Sequence, residues 1–397
     1  MKKNIVIILL IFLISIILFL ILPKEELKII NEKTKGNITN DLPKDYKFKL
    51  LDFYSDNNSL EKLTNKTFND LDDGEKISQM IISSAGKNGK TKEELLKLIQ
   101  TKKIGGIVFL GGDTILLKNL IKEFNNTSIS SNSLPLLYST DGEPSLINLK
   151  IYDIEKIEPT NTIKSISESK IIADKISGIL KNIGINQNYS PVCDYSYNKD
   201  IIGNRSFGTD EKQIIDLAKE FINITQQNNI IATAKHFPGH GNVFGDSHKQ
   251  LVFIDGEIKE LNIFKSIIKD SVISVMLGHI AIKNNIKYNT EGLPSSLSRK
   301  IVTDLLKSEL GFKGLVITDG MNMKAVNDLQ SPSLKAIMAG CDLILMPSDE
   351  NKLLNSVLIE MKKNENLKLQ IYESVKKIIR VKICLGLIKK ESQISTN

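Results

Sequence analysis

Arginine, cysteine and histidine are the scarce residues of this 397-residue chain, and each scarcity excludes something. Only Arg205, Arg299 and Arg380 are arginines, although Lys and Arg together number 53 against 46 Asp and Glu, a formal charge of +7. The basic residues are interspersed with acidic ones, and no Arg/Lys patch with interleaved aromatics occurs, so nucleic acid is not an expected partner. Cys193, Cys341 and Cys384 stand far apart without a CxxC spacing, which argues against a disulfide scaffold and a zinc knuckle. Cys193 and Cys341 lie in or beside apolar runs and read as buried free thiols. No GxGxxG opens a helix after the first strand-like run, which counts against a dinucleotide-binding open sheet.

What is present begins with a hydrophobic N-terminus. Lys2 and Lys3 precede an apolar run from Ile5 to Leu22, broken only by Ser15 and ended by Pro23. Eighteen helical residues would span about 27 Å, close to a bilayer core. Phe19-Leu20-Ile21-Leu22 stands where a signal peptidase would require small residues. Residues 1–23 are therefore expected to form an uncleaved transmembrane anchor, with secretion after cleavage as the alternative. The leading lysines predict a body outside the cytoplasm. Residues 24–66, rich in Lys, Asn and Asp and without periodicity, read as a linker.

From 67 to about 390 the pattern becomes eight short apolar runs separated by helix-compatible stretches. The runs start at Gln79, Gly106, Leu134, Ile185, Ile230, Val272, Gly314 and Asp342. Continuous rather than alternating apolarity predicts strands buried on both faces. Eight βα units in roughly 320 residues predict an α/β fold of the (β/α)8 TIM-barrel kind, one catalytic domain behind the anchor.

Four histidines serve the whole chain, and they gather at two neighbouring strand ends: His236, His240 and His248 after the fifth run, His279 after the sixth. Strand C-termini form the active face of such a barrel, and the same address holds Asp141, Arg205, Lys235 and Asp319. His236 and His240 have HxxxH spacing, with Asp246 and His248 nearby. Pro238 and Gly239 between them keep the pair off a single helical face, so no metal site is expected. No other cofactor is called for.

The stretches KHFPGHG, GDSH, IGNRSFGTD, VMLGHI, LSRKIVTDLLKSELGFKGLVITDGMNM and AGCDLILMP resemble, in order, the motifs of glycoside hydrolase family 3, closest to its bacterial β-N-acetylglucosaminidases. The resemblance implies a retaining glycosidase acting on amino-sugar glycosides, with peptidoglycan fragments foremost. It implies Asp319 as nucleophile, His248 as general acid/base and Asp246 as the carboxylate that orients it. Asp141, Arg205, Lys235 and His236 would hold the sugar. Two departures stand out. The loop after the third run reads Asp141-Gly142-Glu143-Pro144-Ser145-Leu146 where the family usually has DQEGGR and a later arginine, and Asn242 replaces an acidic residue. Many relatives draw the acid from a domain that follows the barrel. Here it is expected from the barrel loops, and His248 with Asp246 two residues earlier is the titratable candidate. Phosphorolysis on the same scaffold and a non-catalytic, anchored glycan-binding protein are the competing readings.

Overall fold

The computed structural model describes residues 47–389 apart from Phe244, Ser247 and His248. Eight parallel strands form its centre, in the order β10-β1-β2-β3-β4-β5-β7-β9. They are β1 (Ile81–Ala85), β2 (Gly106–Phe109), β3 (Leu137–Thr140), β4 (Gln187–Asn188), β5 (Ile231–Phe237), β7 (Ser274–Leu277), β9 (Leu315–Thr318) and β10 (Ile344–Leu345). A bridge from Ile317 to Leu343, with the Thr318 amide donating to the Leu343 carbonyl at 3.1 Å, joins β9 to β10 and brings the sheet round into a barrel. All eight expected runs supply a strand. The first is shifted: Gln79 and Met80 complete the turn after helix Asp73–Ser78, and β1 starts only at Ile81.

Between consecutive barrel strands lie helices such as Lys92–Gln100, Thr114–Ser130, Ile166–Ile183 and Glu211–Gln227. Their starts are written locally. Thr91 accepts from the Glu94 amide while Glu94 accepts from the Thr91 amide, and Ser165 and Glu168 repeat this reciprocal cap. Gly184 ends the Ile166–Ile183 helix at φ +102°, a left-handed position that suits glycine. Strands such as β2, β3, β7 and β9 are buried along their whole length, as apolar runs between a packed lumen and a helical coat must be.

Two features depart from expectation. The segment read as linker up to residue 66 is folded well before it ends: Leu50–Tyr54 is a 3-10 turn and Asn58–Asn69 a helix. Leu60, Thr64 and Phe68 form one buried stripe at helical spacing, which the surrounding polar residues masked. This segment caps the N-terminal end of the barrel. The Tyr54 hydroxyl donates to the Val272 carbonyl at 2.7 Å, and Arg380 of helix Glu365–Cys384 donates to the Phe53 carbonyl at 2.7 Å. Secondly, a two-stranded parallel ribbon lies outside the barrel, β6 (Val252–Asp255) paired with β8 (Ile280–Lys283). It ties the loop that follows β5 to the segment directly after His279. The expected anchor, residues 1–23, lies outside the described residues. Among the described residues no helix is long and apolar enough to cross a membrane.

Candidate active site

The mouth of the barrel is built around Lys235. Its strand, β5, slips register against β7 between Ala234 and Phe237. On its other edge β5 bonds to the segment after β4: the Lys235 amide donates to the Pro191 carbonyl, and the Cys193 amide to the Lys235 carbonyl. The Lys235–His236 and Phe237–Pro238 peptides are cis. The Lys235 ammonium, 2% exposed, lies 2.8 Å from Asp141 and 2.6 Å from Glu143. Arg205 grips Glu143 from the other side through Nε at 2.8 Å and Nη2 at 2.7 Å, while Lys150 reaches Asp141 at 3.4 Å. Burial alone would raise both carboxyls. Lys235 and Arg205, with Lys150 beside Asp141, outweigh it: Glu143 falls to about 2 and Asp141 well below the usual carboxylate range. Burial also opposes the charge on Lys235, yet the two carboxylates raise its pKa.

A second buried carboxylate, Asp194, organises the histidine loop. It accepts from His236 Nδ1 at 2.7 Å and from the amides of His236 at 3.1 Å and His240 at 2.7 Å. Against the burial that would raise it, these partners keep Asp194 below its ordinary value. Burial, then His236, pushes His240 down. The His236 and His240 rings meet edge to face with centroids 5.9 Å apart. His236 Nδ1 meets Asp194 at 2.7 Å, and His240 Nδ1 lies 3.3 Å from the Asn198 side-chain amide.

Asp319 follows β9 and is only partly buried. Its Oδ1 accepts the Gly320 amide at 2.8 Å. Gly320 is itself fixed by His279, whose Nε2 lies 3.0 Å from the Gly320 carbonyl and whose Nδ1 lies 2.7 Å from Ser296 Oγ. A carbonyl only accepts, so Nε2 carries a proton. Burial would raise the Asp319 carboxyl. His236, His279, the Gly320 amide and Lys235 together hold it below the usual range, so it is ionised at neutral pH.

Asp141, Arg205, Lys235, His236 and Asp319 thus lie at the C-terminal ends of β3, β4, β5 and β9, on one face. Asp246 lies on the loop after β5, in an ion pair with Lys249 at 3.3 Å. His248 lies outside the described residues. Glu143, Asp194, Asn198, Glu260 and the link from His279 to Gly320 were not identified from sequence. Asp194 carried one signal, as the acidic residue closing the run Ser190-Pro191-Val192-Cys193.

The model of the glycosyl hydrolase family 3 N-terminal domain matches residues 73–381, most of the chain and all eight barrel strands. The chain belongs to glycosyl hydrolase family 3. A β-hexosaminidase of Photobacterium profundum is 30% identical over 264 residues, covering 63% of this chain and 76% of that protein. Among solved structures, a family 3 β-N-acetylglucosaminidase from Paenibacillus sp. str. FPU-7 superposes with TM-score 0.71 at 25% identity, over 82% of this chain and 65% of its own. The fold is shared at TM-score 0.75 and 20% identity with a β-glucoside phosphorylase, BglX, over 84% and 63% of the two chains. This family 3 barrel therefore spans just under two thirds of each of those two structures.

Proposed function

We propose that this glycosidase removes terminal β-N-acetylglucosamine from amino-sugar glycosides by double displacement through a glycosyl-Asp319 intermediate. The observation that carries the reading is Asp319 itself, a partly exposed carboxylate directly after β9 that His236, His279, the Gly320 amide and Lys235 keep ionised. A retaining glycosidase needs such a carboxylate beneath the anomeric carbon. Asp319 attacks C1 as the C1–O bond to the leaving group breaks. His248, oriented by Asp246, gives its proton to the departing oxygen. It then takes one from the water that releases the sugar.

Asp141 suits the sugar hydroxyls as an acceptor, and its low pKa keeps it an acceptor across the physiological range. Arg205 commits Nε and Nη2 to Glu143 and Nη1 to the Ile201 carbonyl, so much of its work in this reading is to hold Glu143 and, through it, Lys235. The altered loop after Asp141, with Lys150 beside the carboxylate, bears on which glycan is accepted. The apolar run from Ile5 to Leu22 supports an extracytoplasmic body held at the membrane.

The test is to trap the enzyme with a 2-fluoro aryl glycoside and map the label. It is expected on the peptide containing Thr318-Asp319-Gly320, and a label on Asp141 or Glu143 would refute the assignment. Turnover of aryl β-N-acetylglucosaminide against aryl β-glucoside, with and without phosphate, reads the substrate class. Sugar 1-phosphate among the products would replace hydrolysis by phosphorolysis.

A further inference from the structure

We propose that Asn198 is a positioning residue that couples the Arg205 turn to the loop carrying Asp246 and His248; the inference rests on the acid/base reading given above. Asn198 is 6% exposed and sits between two segments. On one side its Oδ1 accepts the amides of Asp200 at 3.2 Å and Ile201 at 3.4 Å. Its carbonyl accepts those of Ile202 at 3.0 Å and Gly203 at 2.9 Å. This builds the turn that delivers Arg205, whose own amide donates to the Ile202 carbonyl at 2.7 Å and whose guanidinium then reaches Glu143.

On the other side Asn198 closes the neck of the loop after β5. Its backbone amide donates to the Gly241 carbonyl at 2.6 Å. Its side-chain NH2 lies 3.4 Å from the His240 carbonyl, 3.3 Å from the Gly245 carbonyl and 3.3 Å from His240 Nδ1. Two hydrogens shared among three acceptors make individually long bonds. Their placement matters more than their strength. His240 and Gly245 are the two stems of the loop, and a neutral donor between their carbonyls holds both stems together. The residue after Gly245 is Asp246. The far end of the loop is fixed separately, where Val252 pairs with Ile280 in the outer ribbon. One buried amide therefore joins the neck of the loop, at His240 and Gly245, to the 198–205 turn that sets the guanidinium behind Glu143.

Asn198→Asp discriminates this role from simple support of the fold. It keeps the size and the Oδ1 that organises the 200–203 turn, but replaces the donor with a carboxylate facing two carbonyl oxygens. Asn198→Ser retains one donor and is expected to fall between the variant and the parent. The experiment is pre-steady-state glycosylation by the full chain with aryl β-N-acetylglucosaminides of graded leaving-group basicity. General-acid assistance is worth about 10²–10⁴-fold, and most with poor leaving groups. Asn198→Asp is expected to lose at least about 10-fold with a phenyl leaving group and less than about 3-fold with dinitrophenyl, a fraction of that range. The fluorosugar label should remain on Asp319. Should Asn198→Asp fail to fold, Asn198→Ser carries the same comparison. Equal losses with both leaving groups, or no loss with either, in an otherwise active enzyme would overturn the role of Asn198 alone. A parent chain that turns over neither glycoside would overturn the N-acetylglucosaminide reading and this inference with it.

Discussion

Replacing Lys235 with methionine removes the cation shared by Asp141 and Glu143 while keeping the length of the side chain. Two contacts vanish, at 2.8 and 2.6 Å. Breaking a buried ionic network from one side costs about 3–5 kcal/mol. Arg205 remains on Glu143 in a two-point grip and Lys150 remains near Asp141, so the low end, ~3 kcal/mol, is expected. With an unfolding entropy of about 2.1 cal/mol/K per residue over roughly 340 folded residues, that is a fall in Tm of about 4 °C. The pH dependence separates charge from packing. Both carboxyls are depressed in the folded parent, Glu143 to about 2, so their contribution is fully present above the ordinary carboxylate range and is lost as pH falls toward those folded values. The methionine variant forfeits part of that contribution. Its deficit is therefore largest near neutrality and shrinks as pH falls below about 4. Thermal unfolding of parent and variant at pH 7 and pH 3 measures this. An equal fall in Tm at both values, or one under about 1 °C at pH 7 where ~4 °C is expected, would refute the electrostatic account.

Glu260, which accepts the Gly241 amide at 3.0 Å, is pushed up to about 7 by burial and then by Asp194. Because this folded pKa lies above the unfolded one, the buried carboxyl costs little below about pH 4.5 and most above pH 7, a difference on the order of 3 kcal/mol. Glu260→Gln should therefore match the parent at pH 4.5 and exceed its Tm at pH 8; a gain of the same size at both would be inconsistent with titration. The full-length chain is expected to stay with membranes through a high-salt wash, since salt screens lysine–lipid attraction but not an apolar anchor. Release by salt, or a mature N-terminus near residue 23, would contradict an uncleaved anchor.

The barrel was legible because most of its strands are buried on both faces and so spell apolar runs, β10 among them; β4, Gln187–Asn188, is itself polar and was marked only by its apolar flanks Ile185 and Tyr189. The ribbon of β6 and β8 was not, because Val252–Asp255 alternates buried and exposed over only four residues and its partner follows His279 without a turn signal. The helix Asn58–Asn69 was hidden by lysines and asparagines around a one-residue-wide apolar stripe. At the site, titratable residues at strand ends could be read directly. Their supports could not, since the Asp194–His236 contact spans 42 residues and the Arg205–Glu143 contact 62, and nothing local predicts either pairing.

The outer ribbon has a consequence for how this enzyme can diverge. Gly241 on one side and Val252, the first ribbon residue, on the other are both held by backbone contacts, so the chain between them is tethered at two ends. Doubling the length of such a loop costs only about 0.6 kcal/mol, so insertions here would barely trouble folding. The same insertion would dilute the proposed acid/base pair, because the effective concentration of a tethered group falls as its tether lengthens. Selection on this segment should therefore act on its length through catalysis while leaving stability almost indifferent.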